Sequence, residues 1–361
     1  MSPPVLMAKP HPAFRPPPCE CCDGSRCVTH KPITLVAIVV TYNRLHQLQI
    51  TLPALRDQAV DHIVVVDNAS TDATPRWLAD QTCARVHVLS LPTNTGGAGG
   101  FEAGMAYARD HLSPDWVVLM DDDARPEAGA MARFRDDLPT LETGFPDLGV
   151  VVASVFYPNG TLCEMNRPSR NPFWHPRLFA RTLLRGTRSG FHLTDADFAP
   201  DAPAIPIDVA SFVGYFVNAR AWEKAGLPEG GLFIYGDDVL YSLRLRRAGF
   251  AMAFTPAIRF VHDCGTMGDG FVYRPLWKIY YHCRNGVDIA RQAAGPLIFP
   301  AALVYYTLIW WRRGRHCTGD ERRLYYRLMR MGLRDGLMGR RGRAPAVHDL
   351  AQALAAPAPK A

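Results

Sequence analysis

Apolar and polar positions along the first 120 residues predict strands that alternate with helices. Continuous apolar runs, which are typical of strands buried on both faces, occur at 33–40, 62–66, 86–89 and 116–120. The intervening segments place apolar residues at helical spacing, at 45–55, 71–80 and 101–111. Ser70 is a suitable N-cap for the second of these helices. This alternation predicts an α/β fold, a mainly parallel sheet with helices on both faces.

The second half of the chain carries a weaker pattern. Further strands are predicted at 150–156 and 258–261, a buried apolar run at 209–217, and helices at 219–225 and 237–247. Residues 157–207 are rich in Pro, Arg, Asn and aromatic residues and lack periodicity, which predicts an irregular insertion.

The most apolar stretch, 295–311, is followed at once by Arg312 and Arg313. A helix of this length spans about 25 Å, less than the ~30 Å hydrocarbon core of a bilayer. It is either a surface-lying or re-entrant membrane anchor or a helix buried against the main domain. Eleven arginines against three acidic residues give residues 312–343 a charge of +8, whereas the remaining residues sum to −2. This basic segment indicates an anionic surface, either membrane or nucleic acid.

The two ends of the chain predict disorder. Residues 1–32 contain eight prolines, and residues 344–361 are rich in Ala and Pro. No secretory signal is visible, so we expect a cytoplasmic, reducing compartment with free thiols. Four of the nine cysteines lie between Cys19 and Cys27. Their spacing matches no common zinc framework, which favours incidental tail residues over a zinc site.

Polar clusters follow four successive predicted strands. The first is followed by Thr41, Asn43 and Arg44, the second by Asp67, the third by Asn94, Gly96 and Gly97, and the fourth by Asp121, Asp122 and Asp123. Because the carboxyl ends of parallel strands meet at one edge, these clusters are expected to converge on one crevice. That convergence favours a ligand site over four unrelated turns.

Each cluster also has a simpler structural interpretation. Three adjacent carboxylates repel one another and favour a divalent cation that carries a diphosphate, but Asp122 and Asp123 could instead cap a following helix. Thr41 and Asn43 offer groups to a base or ribose, or form an ordinary turn. Asp67 suits ribose hydroxyls or an Asx-turn. The glycine run lets backbone approach an anion at a helix start, or it is a flexible linker.

Taken in order, these residues resemble the inverting family 2 glycosyltransferases. The similar stretches are Thr41-Tyr42-Asn43-Arg44, Val66-Asp67-Asn68-Ala69-Ser70-Thr71-Asp72, Asn94-x-Gly96-Gly97, Asp121-Asp122-Asp123 and Phe233-Ile234-Tyr235-Gly236-Asp237-Asp238. The resemblance covers roughly 33–265 without the insertion, and it implies a GT-A fold that binds a nucleotide sugar. Within the family, the glycine run and the triple aspartate are most similar to actinobacterial galactofuranosyltransferases, and rhamnosyltransferases share much of the pattern.

The resemblance implies roles for particular residues. Asp121, Asp123 and His262 match the ligands of Mn²⁺ or Mg²⁺, and Asp238 matches the catalytic base, with Asp237 as the neighbouring alternative. The expected donor-binding residues are Thr41, Asn43, Arg44, Asp67, Asn94, Gly96, Gly97 and Asp122. A carboxylate that removes a proton from an attacking hydroxyl and a cation that neutralises the leaving diphosphate are chemically suited to this reaction. Taken alone, His262 has a simpler interpretation as an ordinary strand-end histidine.

The expected organisation is a GT-A domain over 33–290 and a basic helical segment over 291–343. The nucleotide-sugar half is expected at 33–150 and the acceptor half at 151–290, with residues 211–217, Trp222, Tyr280, Tyr281 and His282 as candidate acceptor contacts. We expect transfer of galactofuranose from UDP-galactofuranose to a lipid-linked glycan at the inner face of the cell membrane, without a nucleic-acid partner. Rhamnosyl transfer from dTDP-rhamnose is the nearest alternative. A nucleotidyltransferase and a non-catalytic, membrane-associated nucleotide or nucleic-acid binder are more distant ones.

Overall fold

A single mixed β-sheet organises the part of the chain that the computed structural model describes, residues 33–185, 190–264 and 274–355. Its strand order is β3-β2-β1-β4-β8-β6-β9-β5, with β7 paired to β9. The strands are β1 Leu35–Thr41, β2 His62–Asp67, β3 Val86–Ser90, β4 Trp116–Asp121, β5 Ala124–Pro126, β6 Leu148–Phe156, β7 Ile205–Pro206, β8 Tyr215–Asn218 and β9 Ala251–His262. The helices are α1 Leu45–Arg56, α2 Thr74–Ala79, α3 Gly96–Leu112, α4 Ala130–Gly144, α5 Pro176–Arg185, α6 Ala219–Ala225, α7 Asp237–Arg247, α8 Lys278–Arg313, α9 Gly319–Leu337 and α10 Pro345–Ala355.

The first four strands form the parallel half of the sheet; β1, β2 and β4 are buried on both faces, whereas the edge strand β3 is mostly half-buried. Strand β1 pairs in parallel with β2 and β4, and β2 pairs in parallel with β3. Alternate residues of β1 enter two different clusters: Leu35 packs with α1, α2 and α4, whereas Val36 packs with α3, α6 and α7. Burial of each such side chain contributes about 1.5–3 kcal/mol. The predicted α/β architecture with helices on both faces is therefore confirmed.

The second half makes the sheet mixed. Strand β8 is antiparallel to both β4 and β6, while β6 and β9 run in parallel. Strand β8 is shorter than the predicted apolar run because Gly214, at φ +62°, precedes it outside the extended region. Strand β9 is longer than predicted and extends along β6 through a register shift. Strand β9 carries its C-terminal end to the edge where Asp121 lies, whereas β8, which is antiparallel to β4, carries its N-terminal end there.

The insertion at 157–207 is more ordered than its sequence indicates, as far as the structure describes it. It contains α5, the short edge strand β7 and three short 3₁₀ turns. Asn171 joins it to the end of the chain, because its Nδ2 donates to the Ala293 carbonyl at 2.9 Å. Phe173 packs against the alanine face of α8.

Three helices close the described part of the chain. Helix α8 kinks at Gly295, whose φ of 71° and ψ of 173° interrupt the helical conformation, and α9 packs against it. Residues 345–355 form α10, and Val347 packs into an apolar cluster with side chains of α8 and α9. The predicted disorder is therefore wrong for this segment. Residues 1–32, including the Cys19–Cys27 cluster, lie outside the described residues.

Candidate active site

Two strand ends and one short strand bring Asp123 to His262. Strand β4 ends at Asp121, and the chain continues directly into β5, which pairs antiparallel with β9 so that Ala124 faces His262. As a result, Asp123 Oδ1 lies 3.2 Å from His262 Nε2. One ligand atom from each of Asp121, Asp123 and His262 lies within 4.8 Å of the other two. Because residues 124–126 form a strand, Asp122 and Asp123 do not cap a helix, and that structural alternative is wrong.

The three carboxylates occupy different electrostatic environments. Burial, reinforced by repulsion from Asp123, raises the pKa of Asp121 to about 7. Burial also raises the pKa of Asp122 to about 6, although Arg44 opposes the shift. Burial alone would raise the pKa of Asp123 as well, but hydrogen bonding to His262 and the positive charge of Arg44 outweigh it and lower the pKa to about 2. Three neighbouring carboxylates with an excess of negative charge favour the binding of a cation.

Arg44 forms ion pairs with two of the three aspartates. One guanidinium nitrogen contacts Asp122 Oδ1 at 3.0 Å and Asp123 Oδ2 at 2.7 Å. Asp122 also accepts a hydrogen bond from Thr41 Oγ1 at 2.7 Å. Thr41 therefore fixes an aspartate in this structure. Lys278, at the start of α8, is half-buried; burial and then the positive charge of Arg44 lower its pKa.

The opposite side of the His262 ring contacts a residue that the sequence did not single out. Nδ1 of His262 lies 2.7 Å from Asn166 Oδ1, and Asn166 Nδ2 donates to Ser211 Oγ at 2.7 Å. A proton on Nδ1 that is donated to Asn166 leaves the Nε2 lone pair directed toward Asp123, which is the arrangement of a metal-ligating histidine. Asn166 lies in the insertion, where no motif or periodicity marked it.

The residues present fit a hard divalent cation. Two carboxylates and one imidazole suit Mn²⁺ or Mg²⁺, with the imidazole shifting the preference toward Mn²⁺. Hydrogen bonding to Asp123 and to Cys163 raises the pKa of His262 to about 10 against the opposing effect of burial. Without a metal, an imidazolium thus partly neutralises the carboxylates. A bound cation replaces that charge.

Two predicted donor-binding residues shape the loops after β1 and β2. Asn43, at φ +54°, accepts a hydrogen bond from the Thr71 backbone N–H at 2.7 Å and so joins the two loops. Asp67 is buried, and its Oδ1 accepts from the Ser70 N–H at 3.0 Å in a local turn. Ser70 does not cap α2, which begins at Thr74 after Asp72 Oδ1 accepts its N–H.

The glycine run forms the first turn of α3, so the linker interpretation is wrong. A Cβ on Gly96, which has φ +74°, would lie 1.9 Å from the Phe233 carbonyl oxygen, whereas a Cβ on Gly97 would meet nothing within 4 Å. That carbonyl accepts the Ala98 N–H at 3.1 Å. Asn94 Oδ1 accepts the Gly96 N–H at 2.8 Å and fixes the turn. Gly96 therefore permits close approach of the segment that leads to Asp237 and Asp238.

Asn68 is a second polar residue that sequence analysis did not assign to the site. It is buried, and its Oδ1 accepts from the Thr95 N–H at 2.9 Å while its Nδ2 donates to the Gly96 carbonyl at 2.7 Å. It joins the end of β2 to the start of α3. The sequence signal for it is its position directly after Asp67 at the end of β2.

Asp237 and Asp238 begin α7 and differ in accessibility. Asp237 is buried, and burial, together with repulsion from Asp238 and Asp121, raises its pKa well above the usual range. Asp238 is half-buried; burial raises its pKa to about 6, and its Oδ1 accepts the Val239 N–H at 2.7 Å. Because the charge of Asp121 raises the pKa of Asp237, the start of α7 lies near the aspartate cluster. Asp238 is the more accessible proton acceptor of the two.

Three of the candidate acceptor residues, Trp222, Tyr280 and Tyr281, are buried, whereas His282 is half-buried and its Nε2 accepts from Trp310 Nε1 at 3.1 Å. Trp222 packs in the core beneath the sheet, Tyr280 donates to Asp335 Oδ2 at 2.8 Å, and the Tyr281 hydroxyl lies 3.1 Å from His348 Nε2. These side chains stabilise the packing of α6, α8 and α9. Their burial does not support the expected direct contact with an acceptor.

The chain is similar in sequence to a known family and to individual glycosyltransferases. Residues 36–197 match the family model described as Glycosyl transferase family 2. Galactofuranosyltransferase GlfT1 of Mycolicibacterium smegmatis is 29% identical over 242 residues, which cover 66% of this chain and 74% of that protein. Undecaprenyl-phosphate mannosyltransferase of Micrococcus luteus is 29% identical over 191 residues, 50% of this chain and 73% of that protein.

A solved structure is similar over most of the chain. It is the mannosyltransferase PcManGT of Pyrobaculum calidifontis in complex with GDP-Man and Mn²⁺, with a TM-score of 0.47 and 16% identity. The similarity covers 90% of this chain and 87% of that chain. The family match and the related sequences set aside the nucleotidyltransferase and the non-catalytic binder. The chain carries a glycosyl transferase family 2 domain, and it is a glycosyltransferase.

Proposed function

We propose that this glycosyltransferase moves galactofuranose from UDP-galactofuranose to a lipid-linked glycan with inversion of the anomeric carbon. The observation that carries the metal-dependent reaction is the convergence of Asp121, Asp123 and His262 within 4.8 Å, beside the two acids that begin α7. The 29% identity to galactofuranosyltransferase GlfT1 supports the choice of sugar.

The donor diphosphate would lie between the aspartates and the basic residues. When bound by Asp121, Asp123 and His262, Mn²⁺ or Mg²⁺ would neutralise the charge of the leaving nucleoside diphosphate. Arg44, whose side chain is 48% exposed, bridges two of the aspartates and adds positive charge to the same region. Lys278 adds a second positive side chain, because its lowered pKa reflects the charge of Arg44 as well as burial.

Asp238 would act as the base. Its half-buried carboxylate accepts one hydrogen bond from the Val239 backbone, through Oδ1, which leaves Oδ2 available to accept the proton of an acceptor hydroxyl. The hydroxyl oxygen attacks the anomeric carbon, the bond from that carbon to the diphosphate breaks, and the proton remains on Asp238. Asp237 is too buried for this role and interacts with Asp121 instead.

An exposed apolar surface supports a membrane-bound acceptor. Among the described residues, one helical segment, 278–316, is long and apolar enough to cross a membrane, and 11% of its most apolar window is buried. On this segment Leu297 is 94% exposed and Val304 is 60% exposed. Leu184 of α5 is 88% exposed, on a helix that also carries Arg177 and Arg181. Apolar side chains with neighbouring arginines suit an anionic bilayer surface.

Rhamnosyl transfer from dTDP-rhamnose is the second candidate, and the donor test separates the two. Purified full-length protein is incubated with Mn²⁺, a lipid-linked glycan fraction and a panel of UDP- and dTDP-sugars. Transfer from UDP-galactofuranose supports the proposal, whereas transfer from dTDP-rhamnose alone selects the alternative. Neither transfer nor hydrolysis with any member of the panel would count against both.

Vesicle sedimentation tests the membrane surface. We expect the protein to cosediment with vesicles that contain anionic lipid, and a variant with Leu297→Glu and Val304→Glu to do so at least about tenfold more weakly, because two apolar contacts become charged. Ile50→Glu is the matched control, since Ile50 is 43% exposed on α1. Equal loss in the control and the double variant would contradict a surface on α8.

A further inference from the structure

A cluster of soft ligand atoms lies behind the imidazole of His262. Cys163 is buried and Cys264 is half-buried, and both are free thiols. One atom each from Cys163, Cys264 and His262 lies within 4.8 Å of the other two. Cys163 Sγ is 3.9 Å from Nδ1, the ring nitrogen that faces away from Asp123.

We propose that Cys163, Cys264 and Nδ1 of His262 form a second metal site, selective for a soft divalent cation such as Zn²⁺. Thiolates prefer such cations, whereas the carboxylate group on the other side of the ring suits Mn²⁺ or Mg²⁺. A single imidazole thus separates a soft site from a hard one.

The distance between Cys163 Sγ and His262 Nδ1 is close to that in a tetrahedral zinc site. Zinc–sulfur and zinc–nitrogen bonds of about 2.3 and 2.05 Å place sulfur and nitrogen roughly 3.6 Å apart. The observed 3.9 Å therefore requires a movement of only a few tenths of an ångström. Asn166 Oδ1, at 2.9 Å from Cys163 Sγ and 2.7 Å from Nδ1, marks the place of a fourth ligand, which water or this oxygen can supply.

The framework of the site holds two of its ligands on the sheet. His262 is the last residue of β9, and Cys264 follows two residues later, after the Asp263 N–H has donated to the Asp123 carbonyl at 2.8 Å. The Cys163 N–H donates to the Val155 carbonyl at 3.0 Å, which anchors this ligand to β6. Ligands anchored to neighbouring strands need little reordering on binding.

Binding at this site has a consequence for the aspartate site. The two thiols each lose a proton, and Nδ1 must give up the proton that it donates to Asn166. A neutral imidazole has only one unprotonated nitrogen, so a cation on Nδ1 leaves the ring proton on Nε2, and Nε2 then cannot bind a cation beside Asp123. The two metals therefore compete through one ring, and a soft cation inhibits a reaction that needs a hard one. This regulatory part rests on the proposed function, whereas the binding itself does not.

Cobalt spectroscopy tests the binding. Full-length reduced protein is titrated with Co²⁺, which gives a near-ultraviolet thiolate-to-metal charge-transfer band when bound by cysteine. We expect the band in the unmodified protein and its loss in both Cys163→Ser and Cys264→Ser. Cys83→Ser is the matched control, because Cys83 is an exposed free thiol, and it should keep the band. A variant with serine at positions 19, 21, 22 and 27 should also keep it.

Two results would overturn the proposal. One is a band that persists unchanged in Cys163→Ser and Cys264→Ser, and the other is no band at stoichiometric Co²⁺ in the unmodified protein. Cys163→Ala and thermal melting of each variant exclude loss of the fold as the cause. Asp121→Asn should keep the band, because that carboxylate belongs only to the hard site.

A zinc titration tests the regulation separately. At fixed Mn²⁺, we expect Zn²⁺ to inhibit sugar transfer and Cys163→Ser to require at least about tenfold more Zn²⁺ for the same inhibition, since it removes one of three protein ligands. Equal inhibition of both proteins places the effect at the hard site and overturns the competition. If no transfer is found at all, the proposed function fails, and the cobalt result still decides whether the site exists.

Discussion

Replacing Asp238 with Asn gives the sharpest test of the proposed mechanism. The carboxamide has nearly the same volume and can still accept the Val239 N–H, so the start of α7 is expected to remain intact. It cannot take up a proton. Loss of a general base lowers the rate by about 10²–10⁴-fold. Because each factor of ten equals about 1.36 kcal/mol, the expected increase in the barrier is about 2.7–5.4 kcal/mol.

The pKa of Asp238 adds a second, independent observable. Burial raises this pKa to about 6, and only the ionised form can act as a base. Activity of the unmodified enzyme is therefore expected to rise with pH, reach half its limit near pH 6, and fall tenfold per unit below that. At pH 8 about 99% of the carboxyl groups are ionised, and the comparison with the Asn variant is made there. The variant's residual rate should lack this inflection.

The assay measures transfer with Mn²⁺ and donor sugar, alongside calorimetric binding of UDP. Asp237→Asn is the matched control on the same helix. Burial raises the pKa of Asp237 and so favours its neutral form, which a carboxamide resembles; we therefore expect a loss within about tenfold. Asp238→Asn should retain UDP binding within about threefold, because the base acts on the acceptor. A variant at Asp238 that keeps more than about a tenth of the activity, or a larger loss at Asp237, would refute the assignment.

Three further predictions concern the metal ligands and the fold. His262→Ala should raise the Mn²⁺ concentration for half-maximal transfer by more than about 100-fold; an unchanged requirement would show that the histidine binds no metal. Asn166→Ala should raise it by about 10–100-fold without abolishing transfer, as expected when the support of a ligand is lost; an effect on acceptor KM alone would contradict this. Arg284→Ala should lower the free energy of unfolding by about 2–5 kcal/mol, measured by urea denaturation, because the carbonyls of Leu232 and Gly342 each lose a buried partner at 2.7 Å.

Much of the sheet was predictable because a strand that is buried on both faces can be recognised from its own residues. The runs that became β1, β2 and β4 are almost entirely apolar, since both faces of these strands are covered, and no partner is needed to recognise such a pattern. The same holds for Asp121 and Asp123, which follow a buried strand directly. Their proximity to His262 could be inferred only through the family resemblance, because 139 residues separate Asp123 from it.

Other features depend on contacts between distant parts of the chain. The start of α3 was predicted at Phe101, since four glycines oppose a helix, yet the close approach of Phe233 makes glycine necessary at position 96. Asn166 has no local signal, because its importance comes from His262. The segment that forms α10 has the alanine- and proline-rich composition that is also typical of disordered tails. Its order comes from packing against α8 and α9, which the local sequence does not reveal.

Helix α8 links the vicinity of the base to the exposed apolar surface. Asn285 Nδ2 donates to the carbonyls of Ile234 and Tyr235, both at 2.8 Å, just before Asp238. Leu297 follows twelve residues later, a rise of at most about 18 Å. If Leu297 rests in a bilayer, that rise limits how far the reaction can occur from the lipid headgroups. The enzyme would then select acceptors by the reach of their glycan stem as well as by the identity of the terminal sugar.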